Sequence, residues 1–184
     1  MDQSYLPSVI KQFEYYKSLG DKTIEQLSFN ELQKEFSKGS NSVAIIITHL
    51  VGNMLSRWTN FLTEDGVKKW RQRDDEFNDN FESKRELLDA WNKGWDCLFS
   101  AIAPLHPSDL EKVVYIRNQG HSVTEAINRQ MMHYAYHVGQ IVFIGKLIRG
   151  ADWESLSIAK GQSKVYNTDK FQLDKRRTHF TDEL

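Results

Sequence analysis

The chain has 184 residues, with 24 Lys and Arg against 25 Asp and Glu and a formal net charge of −1. That near-neutrality excludes both the basic footprint of a nucleic-acid-binding domain and a highly acidic tail protein, and a single Cys excludes a scaffold built on internal disulfides. At ~150 residues per domain the length predicts one domain, and 40% hydrophobic with 27% charged residues is a globular balance.

The opening Met1-Asp2-Gln3-Ser4 carries neither a basic n-region nor an apolar stretch, so the expected compartment is the reducing cytoplasm. A first helix is predicted over about 5–27, with Leu6, Ile10, Phe13, Tyr16, Ile24 and Leu27 recurring at helical spacing. Gly20 falls in phase with that stripe and marks a close approach. Asn30–Phe36 adds a helical turn, and Ser37-Lys38-Gly39-Ser40-Asn41 is a loop. A second helix is predicted from near Ser42 to near Gly66, striped by Val43, Ile47, Leu50, Met54, Trp58 and Phe61. Its first half is apolar nearly all round, which implies burial on more than one side. Residues 66–82 form a long charged loop, and loops of that length in compact domains often serve function.

A third helix is predicted over about 83–103, ended by Pro104 and Pro107. Val113-Val114-Tyr115-Ile116 followed by Asn118-Gln119-Gly120 predicts a short hairpin or extended strand. Ser122-Val123-Thr124-Glu125 reads as a capping box, opening a fourth helix over about 123–149 with Gly150 placed to cap it. The stretch 131–148 approaches membrane-span length but carries two His, a Gln and a Lys, so it reads as a buried bundle helix. Residues 151–184, evenly acidic and basic and poor in strong apolar side chains, are expected to form a loosely structured C-terminal arm beyond a 1–150 domain.

Of six histidines, His133 and His137 stand i, i+4 on one helix, a spacing that lets two imidazoles reach one ion. Two polar residues at a bundle or dimer surface would show the same spacing. Their apolar surroundings make unpartnered imidazoles costly there, and His49 lies in an equally apolar run on the second helix. Three imidazoles with open positions are the pattern of a reactive zinc-type site. Periodicity alone does not bring the three together. A ferritin-like di-iron site needs Glu-x-x-His pairs, and no Glu lies three residues before any His.

At these residues the sequence resembles the DinB-like (YfiT-like) superfamily of four-helix metal-binding proteins. The resemblance is carried by Ile47-Thr48-His49-Leu50 and by His133-Tyr134-Ala135-Tyr136-His137-Val138-Gly139-Gln140. It narrows to a branch catalogued as a domain of unknown function on Gly52-Asn53-Met54-Leu55-Ser56-Arg57-Trp58, Asp65-Gly66, Trp70-Arg71-Gln72-Arg73-Asp74, Gly120-His121-Ser122-Val123 and Arg129-Gln130. It implies an all-α, antiparallel up-and-down four-helix bundle over about 1–150, a homodimer, and a divalent ion, zinc or nickel, on His49, His133 and His137. Some superfamily members are metal-dependent transferases or isomerases that use a low-molecular-weight thiol. The chain departs from the branch at Val67, where a carboxylate is expected.

Arg57 and Arg129 each lie within two turns of a proposed ligand. They read either as a clamp for an anionic small-molecule substrate or as members of a solvated face. Arg71 and Arg73 with Asp74 read as a loop pinned by ion pairs. Cys97 reads as a buried inert thiol, and His121 as structural. The functional expectation is a divalent-metal-binding protein, extending to a thiol-dependent transferase or hydrolase-like metalloenzyme. The alternative is a non-catalytic dimeric helical bundle with a structural or vestigial metal site. Neither nucleic acid nor a membrane is an expected partner.

Overall fold

The computed structural model describes residues 4–78 and 80–182. The chain is mostly helical. In order come α1 (Tyr5–Glu25), α2 (Phe29–Leu32), α3 (Val43–Trp58), α4 (Lys84–Ile102), a hairpin of β1 (Val113–Ile116) and β2 (Gln119–Ser122), α5 (Val123–Arg149) and α6 (Ser163–Phe171). Short 3-10 turns stand at Asp74–Phe77, Pro107–Asp109 and Gly150–Asp152.

The helix starts follow from capping chemistry. Ser42 and Ser83 Oγ accept from the backbone N–H groups of Ile45 and Glu86. Ser28 and Ser122 form full capping boxes with Glu31 and Glu125. Each satisfies donors that a helix start leaves orphaned. Gly150 ends α5 with φ 56°, a conformation costly for a side-chain-bearing residue. The second predicted helix stops eight residues early, at Trp58 rather than near Gly66. Asn60 turns left-handed at φ 49° and its carbonyl then accepts from Thr63 and Glu64 in a non-helical turn. Phe61 still packs in the core, so the apolar rhythm continues past the helix that produced it.

Of the four long helices, α3 packs on α4 and α5, and α1 packs on α5 and α4. One aromatic from each meets at the centre. The Phe13 ring centroid lies 6.5 Å from Trp58, 6.4 Å from Trp95 and 6.0 Å from Tyr134. Burying rings of this size contributes roughly 2–3 kcal/mol each. Gly20 answers to its predicted close approach, since a Cβ there would stand 2.6 Å from the Trp91 ring. The hairpin turn uses Arg117 and Asn118, both at positive φ (56° and 59°), as a two-residue type I′ turn requires. The Asp65 carboxylate accepts from both their backbone N–H groups and from that of Val67. Burial raises the Asp65 pKa, and these backbone bonds bring it below the usual carboxylate range.

The chain after Gly150 contains α6, which buries no residue. Beyond it His179 bonds Ser8, Asp182 pairs with Lys11 and Phe180 meets Tyr15, all on α1. No helix among the described residues is long and apolar enough to cross a membrane.

Candidate metal centre and its arginine-walled cleft

The second turn of α3 and the middle of α5 face each other, and this brings the three histidines together. Their ring centroids are 5.4 Å apart for His49–His133, 5.0 Å for His49–His137 and 4.7 Å for His133–His137. One ring nitrogen from each lies within 4.8 Å of the others. His49 Nε2 and His133 Nε2 are 3.4 Å apart. Two nitrogens ~2.05 Å from one zinc-sized ion, at the tetrahedral angle, stand about 3.3 Å apart. The spacing of these two nitrogens therefore fits a shared ion.

The opposite ring nitrogens of two of the three are occupied. His49 Nδ1 bonds Glu76 Oε2 at 3.0 Å, and His137 Nδ1 bonds Gln140 Oε1 at 2.8 Å. Both partners are acceptors, which puts the proton on Nδ1 and leaves the Nε2 lone pair for an ion, the arrangement usual around bound metals. His133 Nδ1 is buried with no hydrogen-bond partner. Burial pushes His133 down to about 3, with the neighbouring His137 and His49 adding repulsion, and burial also lowers His137. Both are neutral near pH 7, the form that binds metal.

Glu76 is the residue that sequence reasoning missed. It sits in the 3-10 turn of the long loop, 6% exposed. Arg71 grips it with two bonds, Nε to Oε1 at 2.6 Å and Nη2 to Oε2 at 2.8 Å. Burial raises the Glu76 pKa, and the bonds from Arg71 and His49 outweigh it, leaving the carboxyl below its ordinary value. The loop is thus pinned by an ion pair, as expected, but Glu76 rather than Asp74 is the partner of Arg71. The signal that could have found it is Gly52, three residues beyond His49. A Cβ there would collide with the Glu76 carboxylate.

Beside the triad lies a cleft of about 180 Å³. His49, Asn53, Gln130 and His133 form part of its wall, and Arg57, Arg71, Arg73, Arg117 and Arg129 form the rest. Both sequence-predicted arginines are therefore placed together with His49 and His133, while His137 closes the triad without lining the cleft. Arg57 is 8% exposed, donates to the Gly66 carbonyl, and keeps a buried Nε without a partner. Burial, then the charge of Arg71, pushes Arg57 down to about 10, so it stays cationic at neutral pH. Arg129 Nη1 donates to His121 Nε2 at 3.0 Å, and His121 Nδ1 donates to the Gln119 carbonyl, so His121 anchors the guanidinium. Asn53 accepts from the buried Tyr134 hydroxyl, which itself accepts from Trp58 Nε1 at 2.9 Å. Cys97 is half-buried near Thr59, on the α4 side away from this wall.

No curated protein and no solved structure matches the chain. A family model does match, over residues 1–162, and its description is Protein of unknown function (DUF1572). A match across most of the chain, through both halves of the histidine cluster, means that the chain belongs to this DUF1572 family.

Proposed function

We propose that the chain is a divalent-metal-binding protein whose site is His49, His133 and His137, with an antiparallel up-and-down DinB-like arrangement of the four long helices over about 1–150. The observation that carries the reading is the 3.4 Å separation of His49 Nε2 and His133 Nε2, with acceptors already on Nδ1 of His49 and His137. Zinc and nickel both suit neutral imidazole ligands.

The reading extends to a thiol-dependent transferase or hydrolase-like metalloenzyme acting on a small molecule in the cytoplasm. A divalent ion on three imidazoles supplies Lewis acidity and lowers the pKa of a thiol or water. The chain's own residues divide the remaining work. Glu76 holds the His49 ring in one orientation and tautomer. Gln140 does the same for His137. Arg57 and Arg129 present cationic groups to an anionic substrate beside the triad. The dimer is assigned to the outer face of α5, where Met132, Tyr136, Phe143 and Leu147 recur at helical spacing and are all exposed.

The test is titration of the metal-free full chain with Co²⁺, followed by a simple thiol. The reading predicts one bound ion per chain with a visible spectrum of low coordination number, then a sulfur-to-cobalt charge-transfer band. An ion saturated by protein ligands, giving no new band with thiol, would leave a metal protein without this chemistry.

A further inference from the structure

The arginine wall is out of proportion to the chain that carries it. Net charge is −1 overall, yet five guanidinium groups from four separate segments line one cleft. Among the described residues, only Arg71 is matched by a carboxylate, Glu76. Arg57, Arg73, Arg117 and Arg129 have no carboxylate within ion-pair distance among the described residues. Among the described residues, no Asp or Glu lines the cleft. Clustering like charges costs free energy, and one ion pair for five guanidinium groups offsets it only in part. Folding alone gives no reason to gather them.

Two details point to a built site. Arg57, almost wholly buried, keeps its Nε–H donor without a hydrogen-bond partner, a position that an anionic oxygen would fill. Arg117 is delivered by a hairpin turn whose backbone is fastened to Asp65 through two N–H bonds of 2.9 and 2.8 Å. Burying a polar atom unpaired costs about 1–3 kcal/mol unless a ligand completes it.

We propose that this cleft binds a small polyanion, a molecule bearing a phosphate group or several carboxylates, through Arg57, Arg73, Arg117 and Arg129. The shared chemistry is two or more anionic oxygens, which planar guanidinium groups receive as paired hydrogen bonds. The site is a single concavity of about 180 Å³ rather than an extended basic track, which suits a small molecule and not a nucleic-acid backbone. The inference rests on the reading above that substrate meets the histidine triad in this cleft. It adds the substrate's class and two residues, Arg73 and Arg117, from outside the helices.

The experiment is calorimetric titration of the full chain as purified with inorganic phosphate and, separately, with tricarballylate. Metal content is measured on the same samples. Saturable binding of at least one probe is expected, weakened about tenfold by Arg117→Gln and by Arg73→Gln, with metal content unchanged. Both side chains are exposed, so both variants should fold. Tighter binding of phosphate identifies a phosphorylated ligand, and tighter binding of tricarballylate a polycarboxylate. Absence of saturable binding, or binding that neither substitution weakens, overturns the proposal even if the metal is present. Anion binding that persists in a chain unable to hold metal overturns the metal reading instead.

Discussion

At the scale of single residues, the metal site turns on Glu76. It fixes the His49 ring through a 3.0 Å bond and is itself held by Arg71. Outer partners of this kind typically tune metal affinity by one to two orders of magnitude. Glu76→Gln should therefore weaken Zn²⁺ binding roughly tenfold to a hundredfold, read by competition with a chromophoric chelator. Unchanged affinity would mean that Glu76 serves the loop alone. The histidines were legible in the sequence because their surroundings are apolar and imidazoles there need partners. Glu76 was not, because nothing within the charged run 68–77 separates a carboxylate turned inward from its solvated neighbours Asp74 and Asp75. Its burial is decided earlier in the chain, by the missing side chain at Gly52, whose place the Glu76 carboxylate takes, and by His49, 27 residues before it.

At the scale of elements, helix starts and the hairpin were legible because they are local. Ser42 and Ser122 act through bonds three residues long, and the hairpin follows from a β-favouring run before a turn. The end of α3 was not legible, because Phe61 keeps helical phase while Asn60 changes the backbone. The convergence of arginines from a loop, a turn and two helices is likewise invisible until the elements pack. What joins α3 to α5 beneath the cleft is the buried relay Trp58–Tyr134–Asn53. Tyr134→Phe removes the hydroxyl and leaves Trp58 Nε1 and Asn53 Oδ1 unpaired in the interior. The expected loss is about 2 kcal/mol, or about 6 °C in Tm for a chain of this size. A Tm within about 1 °C of wild type would show that the relay carries no such stability.

At the scale of the whole molecule, α5 works on two faces. Its inner face supplies His133 and His137, and its outer face exposes Met132, Tyr136, Phe143 and Leu147 at 69%, 64%, 63% and 53%. A Cβ added at Gly139, between them in sequence, would meet nothing within 4 Å. A row of apolar side chains on one helix pairs naturally with its own copy across a two-fold axis. Sedimentation velocity should find a dimer that Phe143→Glu converts to monomer without loss of metal, and a monomeric wild type would refute the assignment. On the proposed function, α3 and α5 together hold one divalent ion. Elemental mass spectrometry of the untagged chain, purified without added metal, tests it most directly, with His49→Ala and His133→Ala alongside. The account predicts close to one zinc or nickel per wild-type chain, lost in both variants. A wild-type chain that stays empty even after incubation with zinc or nickel would contradict it.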